Sequence, residues 1–527
     1  LLGKDLFKDE LRETLSQFEQ ARNFGSLIEP KLREPTEILR ALEARDFGSD
    51  MLLKVLYERL VDVLCMAEVL SPKYHVVVAN PPYMGRGGAN EALSSWTQKQ
   101  YPKSRADLYA MFIERCGQLS IPAGFFSMIT MHGWMFLSTF EKLRRELLLE
   151  NHIVTMAHLG ERAFDSIGGA VVSTAAFVFE HKRRLSARGT YIRLVEGGNE
   201  QVKRDALIDA SNNENSIFRF TASSNDFNKI SSAPVAYWVS PRLFSLFEDG
   251  TPIKDKVISR DGLNTGNNEI FIRQFWEVPL ESSKAGAKSA EEFWSSGARW
   301  APLIKGGPYR KWYGNLQHVI TYDKQGFERL ARSGNKLPSR EFYFRECFAW
   351  TRISSPAGSF RYYPEGAIFE SASLCVYSDS PEDLRESLAF SNSNLAPKEL
   401  AALSPTVNLL SGYFDMLVVP PLGNQSQNII ETCGQCIDIA RSDWDAYETS
   451  WDFTRLPLLN PNYRQPSLYA SYQNLRAYWR EMAQEMRRLE EDNNRIFIDA
   501  YSLQDELAPD VPLEEVTLTC NPHYRYG

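Results

Sequence analysis

The spacing of apolar residues predicts an α/β layer in the first part of the chain. Residues 51–69 carry a broad apolar face at helical spacing, and a short β-branched run from Tyr74 to Ala79 follows. Because this run is continuous and brief, we predict a parallel strand buried on both faces. Later patterns predict helices over 107–119 and 139–150, and strands over 125–130, 153–159 and 170–180.

The pattern changes twice after this layer. From about Lys254, glycine, proline and aromatic residues interrupt short strand-like runs, and helical spacing returns after Asn428. The clearest helix covers Ser471 to Asn493, where we interpret the apolar stripe as core packing: Tyr472, Leu475, Trp479, Met482, Met486 and Leu489. We therefore predict three regions, over residues 1–245, 246–425 and 426–527.

Composition narrows the class of protein. The 527 residues include seven cysteines, an odd number that favours a reducing, cytoplasmic compartment over a disulfide framework. The net charge of −8 argues against a polycation that coats nucleic acid, but not against one local basic groove. The uncharged stretch from Cys116 to Phe140 contains Pro122 and Gly124, so we predict no membrane partner.

The sharpest motif is Asn80-Pro81-Pro82-Tyr83, directly after the predicted strand, where two prolines prevent further ladder pairing. An adenine amino group is a poor nucleophile because its lone pair is conjugated with the ring. The Asn80 side-chain oxygen and the Pro81 carbonyl would accept its hydrogens and localise that lone pair. Tyr83 would stack on a base flipped out of the duplex. The alternative is an ordinary Pro-Pro turn, because a four-residue match also arises by chance.

The strand and this motif resemble motif IV of the amino-group DNA methyltransferases, and the order of elements over residues 74 to 180 is similar to that family's. More narrowly, the chain resembles the PglX family, the adenine-specific methyltransferases of BREX phage-defence systems. Further stretches that carry the resemblance are Asn23–Ile28, Lys103–Ala110, Lys305–Asn315, Asp443–Phe453 and Asn521–Gly527.

The resemblance implies a partial Rossmann-like methyltransferase sheet, an α+β target-recognition domain and a helical C-terminal region. It also implies methyl transfer from S-adenosylmethionine, whose sulfonium methyl is already activated, to adenine N6 in double-stranded DNA. It leaves open further partners among the other proteins of the defence system.

One departure from the family concerns the cofactor. Such enzymes carry a glycine-rich loop and an acidic residue upstream of motif IV, and neither is found before Asn80. The glycine-rich stretch Gly85-Arg86-Gly87-Gly88 comes after motif IV instead of before it. We expect the main cofactor motif upstream of Leu1, with Asn80 as one candidate contact, and we expect this piece to be inactive alone. Without a preceding strand, Tyr74–Ala79 would be an open sheet edge.

A basic and aromatic cluster is the candidate DNA contact. Its members lie among glycines: Lys305, Arg310, Lys311, Trp312 and Tyr313. Basic side chains of this kind bind phosphate, and aromatic ones stack on sugar or base. We extend the cluster to Arg345 and Arg352. The alternative is a solvated turn with packed aromatic residues, but the resemblance places this region in the target-recognition domain, so we predict DNA contact.

Other constellations are weaker. Cys433 and Cys436 have the spacing of a zinc or redox pair, but no second pair or nearby histidine completes four ligands, so we predict no metal site. Two other functions stay open at this point. One is a non-catalytic DNA-recognition subunit of a defence complex. The other is a protein-glutamine methyltransferase, which the large region after residue 250 disfavours.

Overall fold

The computed structural model describes residues 6–43, 51–165, 172–333, 337–352, 358–403 and 409–526. The chain forms two compact units, Leu1–Val239 and Ser240–Gly527. The roles that the sequence assigned to residues 1–245, 246–425 and 426–527 stay predictions. No helix within the described ranges is long and apolar enough to cross a membrane.

The first unit alternates helices and strands. Its elements are α1 (Leu6–Phe18), α2 (Ala21–Phe24), α3 (Pro35–Glu43), α4 (Met51–Leu70), β1 (Tyr74–Ala79), α5 (Glu91–Gln100), α6 (Leu108–Leu119), β2 (Ser120–Met131), α7 (Glu141–Glu150), β3 (His152–Gly160), β4 (Thr174–Glu180), β5 (Arg188–Arg193), α8 (Glu200–Asn212), β6 (Arg219–Ser223) and α9 (Ser224–Lys229). The predicted α/β alternation is confirmed; residues 170 and 171 of the predicted last strand lie outside the described residues.

These strands form one mixed sheet in the order β1-β2-β4-β3-β5-β6. β1 runs parallel to β2, and β3 runs parallel to β5. β4 lies antiparallel between β2 and β3, so the closing strand pair predicted from the sequence folds back into the sheet. The carboxyl ends of β1, β2 and β3 consequently lie at the same edge of the sheet.

β1 has the predicted bounds but not the predicted burial. Among the described residues it pairs with β2 alone, and Val76 and Val78 are 60% and 74% exposed. The prediction of a strand buried on both faces is therefore wrong for this chain. A strand with a single neighbour leaves a row of backbone groups unpaired and its side chains partly uncovered, which makes it an open sheet edge.

A buried arginine holds α6 against the N-terminal segment. Arg115 is 3% exposed and donates hydrogen bonds to the backbone carbonyl oxygens of Ser26 (3.1 Å), Ile28 (2.9 Å) and Leu70 (3.0 Å). The bond to Ile28 is itself buried, where a carbonyl without a partner would be unfavourable. The second helix after the Asn-Pro-Pro-Tyr motif, α6, is thereby fixed to residues 26–28 and to the end of α4.

The second unit mixes short strands with longer helices. Its elements are α10 (Pro241–Asp249), β7 (Thr251–Pro252), β8 (Ile258–Asp261), α11 (Asn268–Phe271), β9 (Ile272–Gln274), α12 (Ala290–Ser295), β10 (Trp300–Ile304), β11 (Trp312–Tyr313), β12 (His318–Thr321), α13 (Lys324–Arg332), β13 (Cys347–Thr351), β14 (Phe360–Tyr363), β15 (Ile368–Phe369), β16 (Ser373–Tyr377), α14 (Pro381–Ser391), α15 (Leu395–Leu403), α16 (Ser411–Phe414), β17 (Val418–Val419), α17 (Ser426–Trp444), α18 (Leu468–Ala500) and α19 (Pro522–Tyr526).

Two sheets share one apolar core in this unit. Their strand orders are β15-β10-β12-β9 and β11-β14-β13-β16-β8. Residues of both, including Leu303, Ile320, Ala349 and Cys375, belong to one cluster of buried side chains. The helices follow in the chain, with α17 packed against α14 and α18. Strands followed by helices are the arrangement expected of an α+β domain.

The stripe on α18 is buried over only part of its length. Leu475, Met482 and Met486 are at most 8% exposed, as core packing requires. Tyr472, however, is 44% exposed and Trp479 is half-buried. The predicted core stripe thus turns toward solvent at two aromatic positions.

A glycine in β5 provides a test of the sheet. A Cβ atom at Gly189 would lie 2.1 Å from the Ile153 carbonyl oxygen, whereas one at Gly198 would meet no atom within 4 Å. We expect Gly189→Ala to push β5 away from β3 and to lower the free energy of unfolding by about 1–3 kcal/mol. Gly198→Ala is the matched control. Equal thermal midpoints for the two variants by calorimetry would contradict the β3–β5 pairing.

Candidate functional site

The Asn-Pro-Pro-Tyr turn lies where β1 ends, at the edge of the sheet shared by the carboxyl ends of β1, β2 and β3. Asn80 and Pro82 are exposed, whereas Pro81 is buried. A proline has no backbone N–H, so neither Pro81 nor Pro82 can continue the β1 ladder. The turn therefore presents an exposed amide side chain next to a conformationally restricted backbone.

Tyr83 is held on one side and accessible on the other. Its ring meets that of Tyr109 edge-on, with centroids 6.1 Å apart and an interplanar angle of 84°. Tyr109 is itself 2% exposed and lies against Phe140. Tyr83 remains 38% exposed, and its partial burial raises the pKa of its phenol. It is thus a neutral aromatic ring in a defined position, available for stacking.

Asp107 fixes the turn to α6, a role that our sequence analysis missed. Its Oδ1 accepts hydrogen bonds from the backbone N–H groups of Met84 (3.1 Å) and Tyr109 (3.3 Å). The backbone N–H of Leu108 donates to the Met84 carbonyl oxygen at 3.1 Å. An aspartate directly before an apolar helical pattern is a typical N-cap, and that signal could have identified it.

Two histidines extend inward from the same edge of the sheet. His132 follows β2, and its Nδ1 lies 2.9 Å from Nε2 of His158. Nδ1 of His158 in turn lies 3.0 Å from the Tyr237 hydroxyl. Burial lowers the pKa of His132 to about 4 and lowers that of His158 well below its ordinary value. Both imidazoles are therefore neutral near pH 7, as a buried hydrogen-bonded chain requires.

The predicted DNA-contact cluster lies mostly in the interior of the second unit. Arg310 is 3% exposed, and its guanidinium donates to Asp443 at 2.7 Å and to Thr519 at 2.8 Å. Nζ of Lys311 lies 3.3 Å from Glu490, which also accepts a 2.6 Å hydrogen bond from the Trp312 indole. These side chains already have acidic partners and cannot reach a phosphate. The prediction of DNA contact is therefore corrected for Arg310, Lys311 and Trp312.

The remaining members of the predicted cluster differ in exposure. Tyr313 is 8% exposed and packs below the Arg441 guanidinium, so it too belongs to the interior. Lys305 is partly exposed. Arg345 pairs with Asp379 at 2.7 Å and Arg352 pairs with Asp261, yet both arginines keep about a third of their side chains exposed. DNA contact by Lys305, Arg345 and Arg352 stays a prediction.

Close packing explains why glycines surround these basic and aromatic residues. A Cβ atom at Gly314 would lie 2.7 Å from Nε of Arg310 and 2.8 Å from the Trp444 ring. Gly314 has φ of +124°, and Trp312 has φ of +68°, which is rare for a bulky residue. The local pattern thus reflects a tightly packed junction around two buried ion pairs.

Part of the first unit matches a known protein family. Residues 8–164 match the family model described as Eco57I restriction-modification methylase. This range contains β1, the Asn-Pro-Pro-Tyr turn, α6 and β2. The predicted methyltransferase-like sheet therefore agrees with an independent family match.

Two curated relatives cover almost the whole chain. Adenine-specific methyltransferase PglX of Lacticaseibacillus casei (strain Zhang) is 34% identical over an alignment of 534 positions, which covers 98% of this chain and 44% of the relative. Adenine-specific methyltransferase BrxX of Escherichia coli O9:H4 (strain HS) is 32% identical over an alignment of 524 positions, which covers 98% of this chain and 41% of the relative. The chain spans less than half the length of these relatives. The predicted resemblance to PglX is confirmed.

Among solved structures, the chain is similar to the Type IIL restriction-modification enzyme MmeI in complex with DNA. The alignment covers 95% of this chain and 78% of the MmeI chain, at 11% identity and a TM-score of 0.44. A likeness of this size adds nothing to the assignment of individual residues.

The buried ion pair provides a stability test of the corrected cluster. Asp443 accepts from Arg310 and from the backbone N–H groups of Thr519 and Cys520. We expect Asp443→Ala to lower the free energy of unfolding by about 3–5 kcal/mol, because it leaves a buried guanidinium without its partner. Chemical denaturation measures this, with the exposed Arg488→Ala as control. A loss no greater than the control's would show that Arg310 is not held as described.

The neutral histidines predict a pH dependence. Between pH 6.5 and about 4 the unfolded chain takes up a proton that folded His132 excludes. Stability of the first unit should therefore fall by up to about 1.4 kcal/mol per pH unit in this window and should be unaffected by His132 above it. His132→Gln should flatten the decline of the thermal midpoint, whereas the exposed control His523→Gln should not. Identical profiles for wild type and His132→Gln would contradict this.

Proposed function

We propose that the protein is a site-specific DNA methyltransferase of a bacterial phage-defence system, which transfers a methyl group to N6 of adenine. The observation that carries this is the Asn-Pro-Pro-Tyr turn at the carboxyl end of β1, in which Asn80 and Tyr83 are exposed. The 34% identity to an adenine-specific methyltransferase over 98% of the chain supports the choice of adenine.

The turn supplies hydrogen-bond acceptors rather than a base. In the proposed reaction, the Asn80 side-chain oxygen and the Pro81 carbonyl oxygen each accept a hydrogen bond from one N–H of the adenine amino group. This favours a localised lone pair on nitrogen, and Pro82 restricts the backbone so that the acceptors need not reorganise. Tyr83, supported by Tyr109, stacks on the flipped base. S-adenosylmethionine, the proposed methyl donor, supplies an activated sulfonium methyl group when bound.

The described residues do not form a binding loop for this donor. Before β1 they comprise the helices α1 to α4, without a strand followed by a glycine-rich turn. Asn80 is the one residue of the turn that we propose as a contact to the donor as well as to the base. Because β1 exposes an unpaired apolar edge, we propose that further strands of the longer protein pair with it and hold the donor. The target-recognition role of residues 246–425, and DNA contact by Lys305, Arg345 and Arg352, belong to the same proposal.

Replacing Asn80 tests this function. In the full-length protein we expect Asn80→Ala to reduce methyl transfer by at least about 100-fold, because one of the two acceptors is removed. DNA affinity should change little, since base flipping and backbone contacts do not require this oxygen. Labelled-methyl transfer and fluorescence anisotropy measure the two quantities, and Asn212→Ala, on the exposed end of α8, is the matched control.

Normal methylation by the Asn80→Ala variant would contradict the proposed role of the turn. If the wild-type protein bound DNA but transferred no methyl group, the chain would instead act as a DNA-recognition subunit.

A further inference from the structure

A cleft of about 640 Å³ in the second unit combines arginines with aromatic rings. It lies between the first half of α18 and residues 513–526, and the described residues that line it include no aspartate or glutamate. The lining includes Arg476, Arg480 and Arg525 together with Tyr472, Trp479 and Tyr526. Such a surface is locally cationic although the whole chain carries a net charge of −8.

Arg476 and Arg480, the two cleft arginines on α18, differ from other arginines of this helix in their neighbours along it. Arg487 pairs with Glu491, and Arg488 pairs with both Glu485 and Asp492. Around Arg476 and Arg480, by contrast, no acidic residue stands three or four positions away in the sequence.

Arg476 and Arg480 are also each other's i,i+4 neighbour, an arrangement of like charges that destabilises an isolated helix. Both side chains are exposed. The helix therefore carries two adjacent positive charges, about 6 Å apart along its axis. An anionic ligand would relieve the repulsion between them.

The aromatic residues of the cleft include the two that depart from the core stripe of α18. Tyr472 is 44% exposed and Trp479 is half-buried, and Tyr526 on the opposite wall is 77% exposed. Flat rings beside guanidinium groups bind sugars and bases while the charges bind phosphates. His523 lies 4.0 Å from Glu514 at the rim, so it is not counted among the charges available to a ligand.

We propose that this cleft binds the sugar–phosphate backbone of DNA, with Arg476, Arg480 and Arg525 on phosphates and Trp479 packed against deoxyribose. Guanidinium groups match phosphate oxygens in a bidentate geometry, and the rings favour nucleic acid over an acidic peptide. This inference rests on the proposed function, because it takes DNA as the substrate. It places a DNA contact on the helical region instead of on the buried residues 310–313.

The salt dependence of DNA binding by the full-length protein tests the inference. Removing one phosphate contact lowers the slope of log Kd against log salt concentration by about 0.9. We expect the double variant Arg476→Gln/Arg480→Gln to bind a labelled duplex at least about 10-fold more weakly, with the slope reduced by about two. Trp479→Leu should weaken binding and leave the slope unchanged.

Arg488→Gln is the control, since Arg488 lies on the same helix but is paired with two carboxylates. It should alter neither affinity nor slope. Arg525→Gln, outside α18, provides a second measurement that does not depend on the stability of that helix, and it should lower the slope by about one.

The outcomes separate this inference from the proposed function. If these arginine variants bind DNA with wild-type affinity and slope while the wild type methylates DNA, the inference is overturned and the proposed function stands. If the double variant loses binding to a poly-glutamate peptide but not to DNA, the cleft takes an acidic protein segment and the inference is likewise overturned. If the wild type neither binds nor methylates DNA, the proposed function itself fails.

Discussion

The parallel pairing of β1 with β2 is the constraint on which the candidate site depends. Val76 to Ala79 lie opposite Phe125 to Met128, and this register brings the end of β1 to the same edge of the sheet as the end of β2. The prolines after Asn80 end the ladder there, and Asp107 ties the following residues to α6. A shift of one residue would exchange the two faces of β1 and displace the turn.

β1 is paired along one edge only. Among the described residues, β2 is its single neighbour in the sheet, its other edge is unpaired, and two of its valines are largely exposed. An apolar open edge is an unfavourable end state for a sheet. The described residues thus position Asn80 and Tyr83 at the end of β1, and they form no further strand beyond the open edge of β1.

Much of the first unit could be predicted from sequence because the relevant signals are local. The β-branched run, the two prolines and the helical spacing after Asp107 each specify their element without reference to distant residues. The burial of Arg310 and Lys311 could not be predicted in this way. Their partners Asp443 and Glu490 lie 133 and 179 residues further along the chain. Basic and aromatic residues among glycines look alike in a phosphate-binding loop and in a packed junction, until such distant partners are known.

The central claim is that the protein methylates adenine, and nucleoside mass spectrometry tests it most directly. The purified full-length protein is incubated with unmethylated duplex DNA and isotope-labelled S-adenosylmethionine, and the DNA is then digested to nucleosides. The account predicts labelled N6-methyladenine, absent when the protein is omitted. DNA without labelled methyl groups, or label on cytosine or on a protein glutamine instead, would contradict it.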